Sequence, residues 1–160
     1  MTGNNPGPTN IAAGLSTIEE KALGAIAKTG TRPINSLIAY GEHPSTPGLH
    51  AMDAAAYAPE SLTGFVASGA QLLLFSTGVG NSYVNCLAPT IKISGNPNAS
   101  ERLNEQLDFS CPSVFTGHQS LADAATDLLH CMCEIASGTK TWGEILGEDG
   151  ISFSRYGPSL

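Results

Sequence analysis

The sequence predicts an α/β fold, a mostly parallel sheet flanked by helices, on the strength of three features. Helical and extended segments alternate along the chain, as they do in domains built from βαβ units. The run Leu72-Leu73-Leu74-Phe75 is apolar without alternation, the pattern of a strand covered by helices on both faces. Thr90 to Ser94 reads as another strand, with a helix expected between it and the next extended piece. The expected architecture is three-layered and Rossmann-like, one domain over residues 15–160 preceded by a flexible segment, residues 1–14.

Each element has its own local signal. Residues 1–14 are rich in Gly, Asn and Pro and read as flexible. Ser16 with Glu19 three residues on forms a capping box, and Ile18, Ala22, Ala25 and Ile26 make the stripe of the helix it opens. Gly30 ends that helix and Pro33 secures the stop. Pro33 to Tyr40 alternates as a strand, and Gly41 to Gly48, carrying Pro44 and Pro47, is a loop. Leu49 to Met52 is a short apolar strand leading to Asp53 and the small run Ala54-Ala55-Ala56. A helix is expected from Glu60 to Ser68, with Leu62, Phe65 and Val66 inward and Gly69 as its stop.

Beyond the Gln71–Phe75 strand comes a polar, glycine-rich turn, Ser76 to Ser82. Asn98 with Glu101 is expected to cap a helix presenting Leu103 and Leu107, and Phe109 lies in a short extended piece ended by Pro112. Ser120 and Asp123 start the longest helix. Leu121, Ala125, Leu128, Leu129, Met132, Ile135 and Ala136 give it a broad face to bury. Gly138 stops it, Thr141 with Glu144 caps a last turn bearing Trp142, Ile145 and Leu146, and Ile151 to Leu160 is a tail.

Composition narrows the function. The 160 residues are long enough for one real core. Only 13% are charged, about half the usual ~25%, which fits a surface partly hidden against other domains or subunits. The net charge is −7 and Lys and Arg are scattered, so no nucleic-acid partner is expected. No apolar run approaches the ~20 residues of a membrane span, and residues 1–10 lack the pattern of a signal peptide, which favours the cytoplasm. Cys86, Cys111, Cys131 and Cys133 are too unevenly spaced for a disulfide framework. Two residues apart on a helix, Cys131 and Cys133 point about 200° from each other and cannot close on one ion. All four are read as reduced and structural.

Ligands of open α/β sheets bind beyond the carboxyl ends of the strands, so the turn after Phe75 is the first place to look. Gly78 and Gly80 let the backbone approach a ligand. Ser76, Thr77, Asn81 and Ser82 add hydroxyls and an amide suited to carboxylates and sugar hydroxyls, and successive amides can form an anion nest. The competing reading is a plain tight turn. The dinucleotide fingerprint and the P-loop ending are both missing, which argues against nucleotides. Glu20 and Lys21 can orient a substrate or simply be solvated on the helix. Asp53 can serve as a base or metal ligand, or cap the next turn. His43, His50, His118 and His130 show no i, i+4 zinc spacing.

Taken in order, several short motifs resemble one family. They are Asn10-Ile11-Ala12-Ala13-Gly14-Leu15-Ser16-Thr17-Ile18-Glu19-Glu20-Lys21-Ala22-Leu23-Gly24, Gly48-Leu49-His50-Ala51-Met52-Asp53, and Gly69-Ala70-Gln71. Phe75-Ser76-Thr77-Gly78-Val79-Gly80, Ala88-Pro89-Thr90-Ile91-Lys92 and Ala136-Ser137-Gly138 complete the series. The chain is similar, from about Asn10 to about Gly147, to the carboxy-terminal part of the altronate and galactarate dehydratases, a family that includes a sulfolactate sulfo-lyase subunit.

The resemblance implies a hydro-lyase acting on a sugar-derived hydroxy acid to give a 2-keto-3-deoxy acid. A divalent metal, usually ferrous iron, would be its cofactor, with ligands undefined in this chain. Family enzymes are several times longer, so the remaining domains or subunits and further copies are the implied partners, and the isolated domain is expected to be inactive. Asp53, Glu20 and Lys21 become the candidate catalytic residues. Ser76, Thr77, Gly78, Gly80, Asn81 and Asn85 become the candidate substrate-binding ones. The departures fall on the same places. Val79 stands where an arginine is common, Ser82 and Val84 replace a proline and a glycine, and Ala54-Ala55-Ala56 replaces Thr-Pro-Gly. Loss of a guanidinium removes a bidentate partner for a carboxylate.

Overall fold

The computed structural model describes residues 3–152. Its amino-terminal elements are two helices, α1 (Pro8–Ala12) and α2 (Ile18–Ala27), followed by strands β1 (Ile34–Ile38) and β2 (Leu49–Met52). Next come helix α3 (Ala58–Ala67), strands β3 (Leu73–Ser76) and β4 (Thr90–Ser94), helix α4 (Pro97–Arg102) and the short strand β5 (Phe109–Ser110). Three helices close the chain: α5 (Pro112–Phe115), α6 (Leu121–Ala136) and α7 (Trp142–Leu146). The fold is α/β. Every strand pairing is parallel, but the single sheet expected from the sequence is divided into a β1-β2 pair and a three-stranded sheet ordered β3-β4-β5.

Burial follows from that division. β4 has a neighbour on each side, and Thr90, Ile91, Lys92 and Ser94 are almost wholly buried. A strand with both edges paired and both faces covered presents no side to water. β1 has one partner, and only Ile38 of its five residues is buried. The core lies where α3 packs on the larger sheet, around Leu62, Leu73 and Ala88, with Val66, Phe75 and Tyr83 against them. α3 also joins the sheets. A Cβ at Gly64 would collide with Tyr40, and with the Met52 methyl at 2.9 Å, so only glycine lets β1 and β2 approach the helix. The Tyr40 hydroxyl donates to the Glu60 carbonyl at 2.7 Å across the same contact.

Several expectations change at the ends of elements. α2 begins one residue late: Thr17, not Ser16, is the N-cap and accepts from the Glu20 N–H at 3.1 Å. The carboxylate that reaches back belongs to Glu20, which accepts from the Ser16 N–H and hydroxyl, so Glu19 is not the box partner. α4 is capped by Asn96 rather than Asn98, because Pro97 fits the first helical position. The segment expected to be flexible contains α1, again opened by a proline.

Three faces expected inside are open. Phe65 and Leu74 are more than two-fifths exposed, so β3 is covered on one face rather than two. On α6 Ala124 and Ile135 are buried and Leu128 and Met132 half-buried, as part of the expected face, while Leu121 is 77% and Leu129 56% exposed, with Ala125 and Ala136 beside them. Periodicity locates the apolar face of a helix but does not say whether this chain covers it. The caps of α6 and α7 are as expected: Ser120 accepts from the Asp123 N–H, and Thr141 and Glu144 form a full capping box. All four cysteines are free thiols. The tail beyond residue 152 lies outside the described residues.

Candidate functional site

The loop after β3 stands at the carboxyl end of a parallel strand, and β4 extends it on one side. The Thr77 N–H donates to the Ile93 carbonyl at 2.9 Å, so the ladder runs one residue past Ser76 before the chain turns. The turn then closes on itself. Thr77 Oγ1 accepts from the Gly80 N–H at 3.0 Å, and Asn81 Oδ1 accepts from the Tyr83 N–H at 2.8 Å. From α4's cap, Asn96 Nδ2 donates to the Gly78 carbonyl at 2.7 Å.

The two glycines do different work. Gly80 has φ +92°, and a Cβ there would run into Leu103 and lie 2.7 Å from Gln106 Oε1. Its lack of a side chain is required by the fold. A Cβ at Gly78 would meet nothing within 4 Å, so its freedom leaves an exposed backbone open to a ligand. Ser76 is exposed and Thr77 half-buried. Asn85 is buried: its N–H donates to Thr90 Oγ1 and its Oδ1 accepts from the Leu87 N–H, but its Nδ2 has no partner.

The other candidates lie elsewhere. Asp53 follows β2, in the smaller sheet; its N–H continues the ladder to the Ile38 carbonyl at 2.9 Å and its side chain is exposed. Glu20 and Lys21 line one open groove with Asn10 and Lys28. Lys21 Nζ donates to Asn5 Oδ1 at 2.7 Å and to Asn10 Oδ1 at 3.3 Å, tying α2 to the amino-terminal segment. The Ser16 hydroxyl, and after it the Ser16 N–H, hold the Glu20 carboxyl below its ordinary value. Among the described residues no three His, Cys, Asp or Glu gather as a metal site.

Residue-by-residue reading overlooked a polar network behind the loop. Lys92 is fully buried, its Nζ 2.9 Å from Glu148 Oε2 and 3.5 Å from the Ser82 carbonyl, the end of the glycine loop. Asp108 accepts from the Lys92 N–H through Oδ2 and from the Trp142 N–H through Oδ1, both at 2.7 Å. One carboxylate thus joins β4 to the start of α7. The same carboxylate acts on Cys131: burial first, then Asp108 and Glu134, push its thiol above the usual range. The available signal was a lysine between Ile91 and Ile93 in a strand, where a charge is buried only with a partner.

Parallel strands, a polar loop beyond the carboxyl end of β3 and a buried lysine behind it define an α/β domain. The chain belongs to the D-galactarate/altronate dehydratase C-terminal family, whose model matches residues 1–159. It is 36% identical to the (2R)-sulfolactate sulfo-lyase subunit beta of Chromohalobacter salexigens, over 97% of this chain and 40% of that protein. It is 33% identical to the galactarate dehydratase (L-threo-forming) of Escherichia coli, over 85% of this chain and 26% of the relative. With the altronate dehydratase of Bacillus subtilis the identity is 32%, over 84% and 27%. The chain therefore spans between about a quarter and two-fifths of the length of these relatives.

Proposed function

We propose that this chain is the carboxy-terminal part of a metal-dependent hydro-lyase that converts a sugar-derived hydroxy acid to a 2-keto-3-deoxy acid in the cytoplasm. The observation that carries the reading is the loop from Ser76 to Asn85, whose sequence lies in the family match and whose exposed turn stands beyond the carboxyl end of β3. Ser76, Ser82 and the Gly78 backbone are among its exposed polar groups, and they suit the hydroxyl and carboxylate groups of a sugar acid.

Dehydration next to a carboxylate needs a base for the α proton, an electrophile for the enediolate and an acid for the departing hydroxyl. Asp53, with an exposed carboxylate at a strand end, is the base candidate within this chain. Glu20 and Lys21 are weaker candidates, since their heads already hold Ser16 and the Asn5/Asn10 pair. The described residues offer no ligand cluster for a divalent ion, so ferrous iron in the complete enzyme would take its ligands mainly from other parts of it.

A second reading is favoured by the open face of α6, where Leu121 and Leu129 are exposed. It makes the domain an assembly module that docks on the rest of the enzyme or on another copy. The two readings separate in one experiment. The full-length protein is supplied with ferrous iron and a panel of sugar acids and sulfolactate, and 2-keto acid or sulfite release is followed. Product that disappears on Gly78→Val or Ser76→Ala, positions where an added or lost side chain meets no other part of the fold, with assembly intact, supports the catalytic reading. Activity unchanged by loop variants leaves the assembly role.

A further inference from the structure

Lys92 has a chemistry that its surroundings do not use up. Its ammonium is buried, yet its anionic partner, Glu148, is 26% exposed and belongs to the segment 147–152 rather than to a helix or strand. That segment leaves α7 at Gly147, in the left-handed conformation at φ +69°, and runs as a strap past Tyr83 and Cys86 to Thr63 of α3. Three hydrogen bonds, two of them long, tie it to the rest of the chain: the Tyr83 hydroxyl (3.1 Å) and the Cys86 N–H (3.4 Å) both donate to the Gly150 carbonyl, and the Ser152 N–H donates to Thr63 Oγ1 (3.1 Å). Under the strap, residues 82–85 lie over the face of β4 that carries Thr90 and Lys92. This follows because the Ser82 carbonyl faces Lys92 Nζ while the Asn85 N–H reaches Thr90 Oγ1. In that same short segment Asn85 Nδ2 is a buried donor without an acceptor.

We propose that Lys92 is a binding site for the carboxylate of the acid substrate, and that Glu148 holds the site closed until such a carboxylate replaces it. The proposal rests on the reading of the loop as substrate-facing and deepens it by naming the cation. A buried ammonium must keep an anion beside it, and a carboxylate on a short strap is readily exchanged for another carboxylate of the same charge. The orphaned Asn85 amide gives an incoming ligand a donor that Glu148 leaves unused. Residues 76–82 carry no cationic side chain of their own, and Lys92 supplies a positive charge behind them.

The test is titration of this chain, unaltered and with substitutions, with galactarate and separately with acetate, read by calorimetry and by the shift in unfolding temperature. Without the internal competitor, Glu148→Gln should bind galactarate about tenfold more tightly than the unaltered chain. Lys92→Met should lose binding, and Lys92→Arg should keep part of it. Should Glu148→Gln fail to fold, Glu148→Asp keeps the charge on a shorter arm and should also tighten binding. Galactarate bound equally by the unaltered chain, the Glu148 variants and Lys92→Met would overturn the Lys92 site and leave the sugar-acid reading standing. Acetate raising the unfolding temperature of Glu148→Gln but not of Lys92→Met, with galactarate inert throughout, would uphold the site and defeat the sugar-acid reading. No response to either anion in any variant would overturn the site.

Discussion

The two sheets use the same parallel pairing and reach opposite degrees of closure. β4, between two strands and under a helix, buries even a lysine, whereas β1, with a single partner, leaves Ile34 and Leu37 exposed, the latter at 72%. α2 repeats the contrast with α7: it has no buried residue, and Leu23 and Ile26 face outward, while α7 is tied down by Thr141 and by Asp108. A part that encloses its own core, around Leu62, Leu73 and Ala88, and parts that expose apolar surface, the outer face of α6 among them, differ in what they require. The first is specified within the chain. The others leave apolar side chains uncovered among the described residues.

The contrast is broken or sharpened by substitutions of decreasing effect. Ile91→Ala removes a wholly buried side chain from the central strand and should lower stability by about 4 kcal/mol in urea unfolding. Asp108→Ala strands two N–H groups at once, those of Lys92 and Trp142, and should cost about 3 kcal/mol by the same measurement. It should also bring the Cys131 thiol nearer its ordinary value, seen as faster alkylation under mildly alkaline conditions. Leu37→Ala, in the open sheet, should change the stability of this chain by less than about 0.5 kcal/mol. A large loss there would mean that the smaller sheet is as closed as the larger one.

Legibility in the sequence divides along the same line. β4 and the caps of α6 and α7 were readable because their signals are local: the β-branched Thr90, Ile91 and Ile93 within five residues, and a hydroxyl three residues before an acid. The split of the sheet was not, because strand neighbours are chosen by contacts between distant segments and a parallel strand looks the same in either sheet. The open face of α6 was invisible for a related reason, since Leu121 and Leu128 have equal claims on the interior until their neighbours are known. At the candidate site the glycine loop could be found from composition and position. The cation behind it could not be paired, because Glu148 lies 56 residues from Lys92. Only the oddity of a lysine between Ile91 and Ile93 pointed to a partner.

The smallest effect concerns α2 and decides what Glu20 is for. Ser16 donates through its hydroxyl and its N–H to the Glu20 carboxylate, and Glu19 is likewise held below its ordinary value, by its own N–H and then by Thr17. Groups whose folded-state value is depressed add stability above the unfolded value, here 4.5, and that contribution disappears as pH falls through the folded value. The first turn of α2 should therefore loosen on acidification below 4.5, seen as faster amide exchange at Glu20 and Lys21, while the amides of β4 remain protected. Both carboxylates are fully exposed, so the effect is local and sensitive to salt. Glu20→Gln should remove most of the pH dependence, because an amide oxygen can still accept from Ser16 but no longer titrates. If the same substitution leaves turnover of the complete enzyme intact, the Glu20 carboxylate is a helix cap. If turnover falls while the helix persists, its charge acts on the substrate.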